Sequence, residues 1–232
     1  MSPNQIVTRG IVLARTNYGE ADRIVTMLTP DHGKLRLMAK GVRKSKSKLA
    51  GGIELFSVSE ISYIQGRGDI STLTSTRLQT HYGNIVKHID RTMAGYDLIK
   101  QINKATEDEP EPEYFVLLED ALKALNEDNI PELLIRAWFV AQLLRLGGHE
   151  PNLQTDTAGN KLQADKAYHF SFDDMAFTPH EGGGFDAGKI KFLRLLFSRN
   201  HVDTLAKVQG LDVLVPAVQP LVAAAGQTYL RS

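Results

Sequence analysis

The chain has 232 residues, 42% of them apolar and 23% charged, with no cysteine. That composition suits one large or two modest folded domains and excludes wholesale disorder, disulfides, thiol nucleophiles and thiolate metal sites. A net charge of zero conceals a division: residues 1–80 carry 12 Lys and Arg against 6 Asp and Glu, whereas residues 81–232 carry 15 against 21, so a basic first module is set against an acidic remainder.

The start, Met1 to Gln5, lacks the charged-then-apolar pattern of a secretion signal, and no run of about 18 apolar residues offers a membrane span. The expectation is a cytoplasmic protein. From residue 6 onward, β-branched residues and closely spaced turn signals predict five strands, at 6–15, 23–29, 34–40, 56–64 and 70–77. The third alternates most cleanly: Leu35, Leu37 and Ala39 share one face, and Lys34, Arg36, Met38 and Lys40 the other. In the fourth, Phe56 and Val58 are out of phase with Ile61 and Tyr63, which predicts a bulge near Glu60. Five short strands in about 75 residues suit a small Greek-key barrel of the oligonucleotide-binding (OB) type.

Helical spacing takes over at residues 78–83, dividing the chain into a barrel domain, 1–80, and a mainly helical domain, 81–232. A helix at 84–104 is followed by an acidic linker, 107–113, and by a helix with Phe115, Leu118, Leu122 and Leu125 on one side. The next, 131–146, begins with Pro and stops at Gly147-Gly148, and is apolar around nearly its whole circumference, as a covered helix is. Residues 151–187 break the periodicity and predict a small hairpin-like insertion. Two closing helices, 189–198 and 214–226, follow, the start of the last disturbed by Pro216 and Pro220. The class is α+β.

Chemistry concentrates in one place. Lys34, Arg36, Lys40, Arg43, Lys44, Lys46 and Lys48 fall within fifteen positions with no acidic residue between them, partly on a strand face and partly on a Gly/Ser-flanked loop. With support from Arg15 and Arg23, they form a flexible cationic rim able to follow phosphates. Aromatic platforms are scarce, with only Tyr18, Phe56 and Tyr63 near this surface, so binding is expected to lean on phosphates, with weak sequence preference, tolerance of single and double strands, and steep salt dependence. Two alternatives remain: an RNA-binding barrel, and a metal-dependent nuclease or phosphodiesterase using His169, Asp173 and His180. Gly182-Gly183-Gly184 lacks the Lys-Ser/Thr of a phosphate loop and reads as a plain loop. Lys189, Lys191 and Arg194, beside Ile190, Leu193 and Phe197, are a candidate protein-docking face.

Three segments then stand out: Tyr18-Gly19-Glu20-Ala21-Asp22-Arg23-Ile24-Val25-Thr26, Gly33-Lys34-Leu35 and Ala39-Lys40-Gly41-Val42-Arg43-Lys44. Together they resemble the RecO family of bacterial recombination mediators, and the helical remainder agrees in order and length, including Gly147-Gly148-His149-Glu150-Pro151. The resemblance implies an OB barrel followed by a helical domain, without enzymatic activity or cofactor. It also implies binding of single- and double-stranded DNA, annealing of complementary strands, and assistance to RecA in loading onto DNA coated by single-strand-binding protein. The implied partners are RecR and the C-terminal tail of single-strand-binding protein, and the implied location is the cytoplasm, at the nucleoid. Many relatives carry a four-cysteine zinc site, in a zinc-ribbon-like segment, across the region corresponding to residues 151–189. Here Thr155, Ala158, Asp186 and Lys189 stand at comparable places, so the insertion is expected to be held by packing of Tyr168, Phe170, Phe172 and Phe177 instead. Leu55 precedes Phe56 where relatives commonly have Pro.

Overall fold

Residues 5–106 and 111–230 are described in a computed structural model of the chain, and the first elements in it are the five strands that the alternation predicts. They are β1 (Gln5–Tyr18), β2 (Asp22–Thr29), β3 (Gly33–Ala39), β4 (Ser57–Ile64) and β5 (Ile70–His81). They close into a barrel in the order β1-β2-β3-β5-β4, with β3 and β5 parallel and the other pairs antiparallel. This is the OB arrangement. Closing so small a sheet demands strong coiling, which extra residues provide at Leu13 in β1 and at Thr74 and Gln79 in β5. Strand β4 itself runs unbroken against β1, and the extra residues opposite it are Thr74 and Gln79 of β5, so the bulge expected near Glu60 does not form. Ile61 and Tyr63 join Val12, Val25, Met27, Leu37 and Leu73 in the barrel core, with Ser59 buried at the same parity, whereas Phe56 and Val58 are buried outside that core: the sequence changes phase because both faces of β4 are covered at this end.

Phe56 is buried by α1 (Ile89–Ala105), which follows the barrel and precedes α2 (Pro112–Asn126). Its backbone is left-handed, with φ of 57°, an unfavourable state for a residue with a Cβ. The ring lies edge-on to Tyr96 at 5.3 Å and sits where Gly95 leaves room, since a Cβ there would come within 2.6 Å of the ring. Arg9 of β1 lies over the Phe115 ring at 5.0 Å and pairs with Glu119 on α2. Arg91, buried on α1, donates to the Leu125 carbonyl at the end of α2 at 2.8 Å. Residues 107–110 of the acidic linker lie outside the described residues. Both helices belong to the same compact unit as the barrel, residues 1–127, although the barrel strands end at His81.

The second unit, residues 128–232, is built on α3 (Glu132–Leu146), which packs against α4 (Ala187–Phe197), α5 (Val202–Leu205) and α6 (Leu211–Tyr229). Ten of the fifteen residues of α3 are buried, which explains why its apolar residues run all round. Its one buried amide side chain, Gln142, donates to the carbonyls of Leu196 and Ser198 at 2.6 and 2.9 Å, satisfying acceptors that the end of α4 leaves open. The insertion is a three-stranded sheet in the order β6-β8-β7, formed by β6 (Asn152–Asp156), β7 (Tyr168–Ser171) and β8 (Ala176–Pro179), one strand more than a hairpin. Its aromatics pack as expected, with Phe177 edge-on to Tyr168, Phe170 and Phe185 and Phe170 edge-on to Phe172. Helix α6 starts three residues earlier than expected and runs through Pro216 and Pro220. Both prolines are exposed, as are Asp212 and Pro216, whose carbonyls lose their helical donors, so water can satisfy them.

Gly95→Ala tests the seat of Phe56. Alanine ordinarily strengthens a helix interior by about 1 kcal/mol, but overpacking against the ring reverses the sign, and urea unfolding is expected to show a net loss of about 1–3 kcal/mol.

Candidate nucleic-acid interface

Register fixes the outer face of the barrel. Antiparallel pairing sets Ile24 opposite Met38, Thr26 opposite Arg36 and Leu28 opposite Lys34, and the parallel neighbour brings Ile70 beside Arg36 and Thr72 beside Met38. Their alternates Val25, Met27, Leu37 and Ala39 fill the barrel, so these side chains point outward. The two ends of that face differ. At one, Leu28 is buried and the Lys34 ammonium donates to the carbonyls of Asn103 and Thr106, at 3.1 and 2.8 Å, where α1 ends. Lys34 therefore neutralises the negative end of a helix. At the other, Arg36 and Lys40 are exposed and make no ion pair among the described residues.

The loop after β3 continues this open end, and its root is tied rather than flexible. Gly41, at φ of 64°, donates its N–H to the Asp22 carboxylate at 2.6 Å, and the Arg43 N–H donates to the Ala21 carbonyl at 2.9 Å. Val42 between them is buried in the barrel core. Turns from Lys44 N–H to Gly41 O and from Ser47 N–H to Lys44 O carry the chain onward. The Arg43 guanidinium reaches the Gly19 carbonyl at 3.3 Å, and Arg43, Lys44, Lys46 and Lys48 are all exposed with no ion pair among the described residues.

Arg15 and Arg23 occupy the other parity. Arg15 pairs with Val25 and Arg23 with Ala39, both inward positions, which places the two arginines at the mouth of the barrel. Arg15 makes an ion pair with Glu54 at 2.9 Å and Arg23 donates to the Asn17 side chain at 3.0 Å. Six of the nine basic residues singled out from the sequence are thus brought together with open charges, and Lys34, Arg15 and Arg23 are engaged within the protein. Sequence reasoning passed over Arg67, exposed in the β4–β5 loop three residues before Ile70, the partner of Arg36. Its isolation in a Gly turn hides it; only the parallel β3–β5 pairing brings it to this face.

In the insertion, His169 and His180 lie with ring centroids 4.1 Å apart, while Asp173 and Asp174 sit in the β7–β8 turn, where Ser171 donates to Asp174 at 2.7 Å. Among the described residues no group of three or more His, Cys, Asp or Glu is assembled to hold a metal, so the three-ligand centre that the nuclease reading needs does not form. The positions comparable to zinc ligands do not fit zinc either. Beside Thr155 and Ala158, the Asp156 carboxylate accepts from the Ala158 and Asn160 N–H groups at 3.0 and 2.8 Å. Asp186 caps α4 by accepting from the Lys189 N–H at 2.9 Å, and the Lys189 ammonium donates to the Gly184 carbonyl at 2.7 Å. Two polar turns hold the chain at both places. The candidate docking face on α4 is likewise absorbed: Ile190, Leu193 and Phe197 are buried, and Arg194 donates to the Leu153 carbonyl.

Two family models match the chain, Recombination protein O N terminal over residues 1–82 and Recombination protein O C terminal over residues 89–223. DNA repair protein RecO of Dehalococcoides mccartyi is 35% identical over 183 residues, covering 78% of this chain and 68% of that protein. The protein of the same name from Trichodesmium erythraeum is 34% identical over 232 residues, covering 91% and 78%, and that of Bacillus pumilus is 31% identical over 175 residues, covering 74% and 66%.

Lys34→Met is expected to lower stability by about 1.5–3 kcal/mol, the contribution of hydrogen bonds from a charged donor, while leaving the salt dependence of DNA binding unchanged; denaturation and titration of the same variant check both halves. Burial alone pushes the Asp156 carboxyl up, but hydrogen bonds from the Asn160 backbone and side chain and from Ala158, with the charge of Lys166, hold it below its ordinary 3.8. A lowered pKa contributes stability that is complete above the ordinary value and lost as pH falls through the folded one. The melting temperature is therefore expected to fall in acid below about pH 4, less so in Asp156→Asn, and to be unmoved by EDTA at neutral pH.

Proposed function

This chain belongs to the RecO family of DNA repair proteins, and on that premise we propose that its barrel grips DNA by the sugar-phosphate chain through Arg36, Lys40, Arg43, Lys44, Lys46 and Lys48. Lys34, Arg15 and Arg23 support that surface from within. One observation carries the reading: six exposed cations on one face and its adjoining loop have no carboxylate partner among the described residues. Unpaired cations displace the counterions condensed on a polynucleotide, and they do so for any base sequence and for one strand or two.

Annealing follows from the same charges. Two complementary strands repel until their phosphates are screened, and a fixed array of ammonium and guanidinium groups screens them without consuming a nucleotide. The chain then acts as a non-enzymatic mediator, binding single- and double-stranded DNA, pairing complementary strands, and helping RecA onto strands coated by single-strand-binding protein. Its partners in that role are RecR and the C-terminal tail of single-strand-binding protein, and its place is with the DNA, in the cytoplasm at the nucleoid. No helix among the described residues is long and apolar enough to cross a membrane.

Replacing Arg43, Lys44, Lys46 and Lys48 together by Ala is expected to weaken binding to unrelated single strands alike. The plot of log affinity against log salt should be less steep by up to about 3, at roughly 0.7 per phosphate contact, and the annealing rate should fall in parallel. Undiminished affinity at low salt would refute the proposal, and displacement of bound DNA by an equal amount of RNA of matched sequence would redirect it to RNA.

A further inference from the structure

The turn between β1 and β2 holds an aromatic ring that the fold does not use. Tyr18 ends β1 opposite Asp22, is 55% exposed, and makes no hydrogen bond or ring contact among the described residues. The turn that carries it is bound at three points to the root of the cationic loop, by Arg43 to the Gly19 carbonyl, by the Arg43 N–H to the Ala21 carbonyl and by the Gly41 N–H to the Asp22 carboxylate. The backbone that carries the ring is thereby held at the root of the loop of Arg43 and Lys44 instead of swinging on a loose hairpin. In the five-stranded OB barrel this turn flanks the face of β2 and β3, where oligonucleotides bind.

Accepting the backbone grip proposed above, we infer that Tyr18 is a stacking platform for one unpaired base and gives the surface a preference for single strands over duplex. The chemistry separates the two. The cations grip the phosphates of either form and, if anything, favour the more densely charged duplex, so they supply no preference for single strands. A base face is available to an aromatic ring only where the base is unpaired and unstacked; in a duplex it is covered by its neighbours. A ring carried on a turn that is tied next to the charges adds to single-strand binding and adds nothing to duplex binding.

The test compares Tyr18→Ala, Tyr18→Phe and the unaltered chain in binding to an oligothymidylate and to a duplex of equal length across a salt series. Tyr18→Ala is expected to weaken single-strand binding about 5- to 100-fold, leave duplex binding within twofold, and leave the salt slope unchanged because no charge is removed; Tyr18→Phe, which keeps the ring, retains single-strand affinity. An unaltered single-strand affinity in Tyr18→Ala, or an equal loss on duplex, overturns the inference. The four-cation variant, measured alongside, separates this from failure of the backbone grip: if it loses affinity while Tyr18→Ala does not, only the ring's role is lost.

Discussion

The carboxylate of Asp22, accepting the Gly41 N–H at 2.6 Å, decides where the basic segment goes. Without a fixed root, the chain leaving β3 would carry Arg43 to Lys48 into solvent in many directions, and each direction would present a different pattern of charge. With it, and with Val42 buried in the barrel core, the loop leaves the barrel at one place, beside the β1–β2 turn. Gly41 at φ of 64° makes the bend at little steric penalty. One acidic residue in the most basic part of the molecule thus aligns the cations, which explains why the segments around residues 18–26 and 39–44 are distinctive together.

The outer face of β3 shows how like side chains come to do unlike work. Lys34 and Arg36 share a parity and a strand, yet Lys34 faces the carbonyl end of α1 and Arg36 faces water. Helix ends recruit polar donors elsewhere too, Arg91 at the end of α2 and Gln142 at the end of α4. A carbonyl left open at a buried helix end needs a donor, and a cation used there is already partly neutralised when DNA arrives. The charge available to a polynucleotide is accordingly smaller than the count of Lys and Arg in the first 80 residues.

The barrel was legible because period-two alternation is a local property; Leu35, Leu37 and Ala39 against Lys34, Arg36 and Lys40 needs no knowledge of the rest of the chain. The basic cluster was legible for the same reason. The engagement of Lys34 was not, because its acceptors lie 69 and 72 positions away. Strand β6 escaped because Asn152-Leu153-Gln154-Thr155-Asp156 has one apolar residue and pairs in parallel with β8 through an irregular register. Helix α5, four residues long, is too short to show a period, and α6 was cut short by prolines whose lost hydrogen bonds fall on its exposed side. The loop of residues 41–50 reads as flexible from its Gly, Ser and Lys content, since nothing in that composition reveals a carboxylate waiting at Asp22.

The most direct measurement is lysine footprinting: brief acetylation of the full chain with and without a single-stranded oligonucleotide, read residue by residue by mass spectrometry. Protection is expected at Lys40, Lys44, Lys46 and Lys48, and none beyond the protein's own shielding at Lys34. Protection confined to Lys161, Lys166, Lys191 or Lys207, with the loop lysines as reactive as in the DNA-free chain, would contradict the proposed grip.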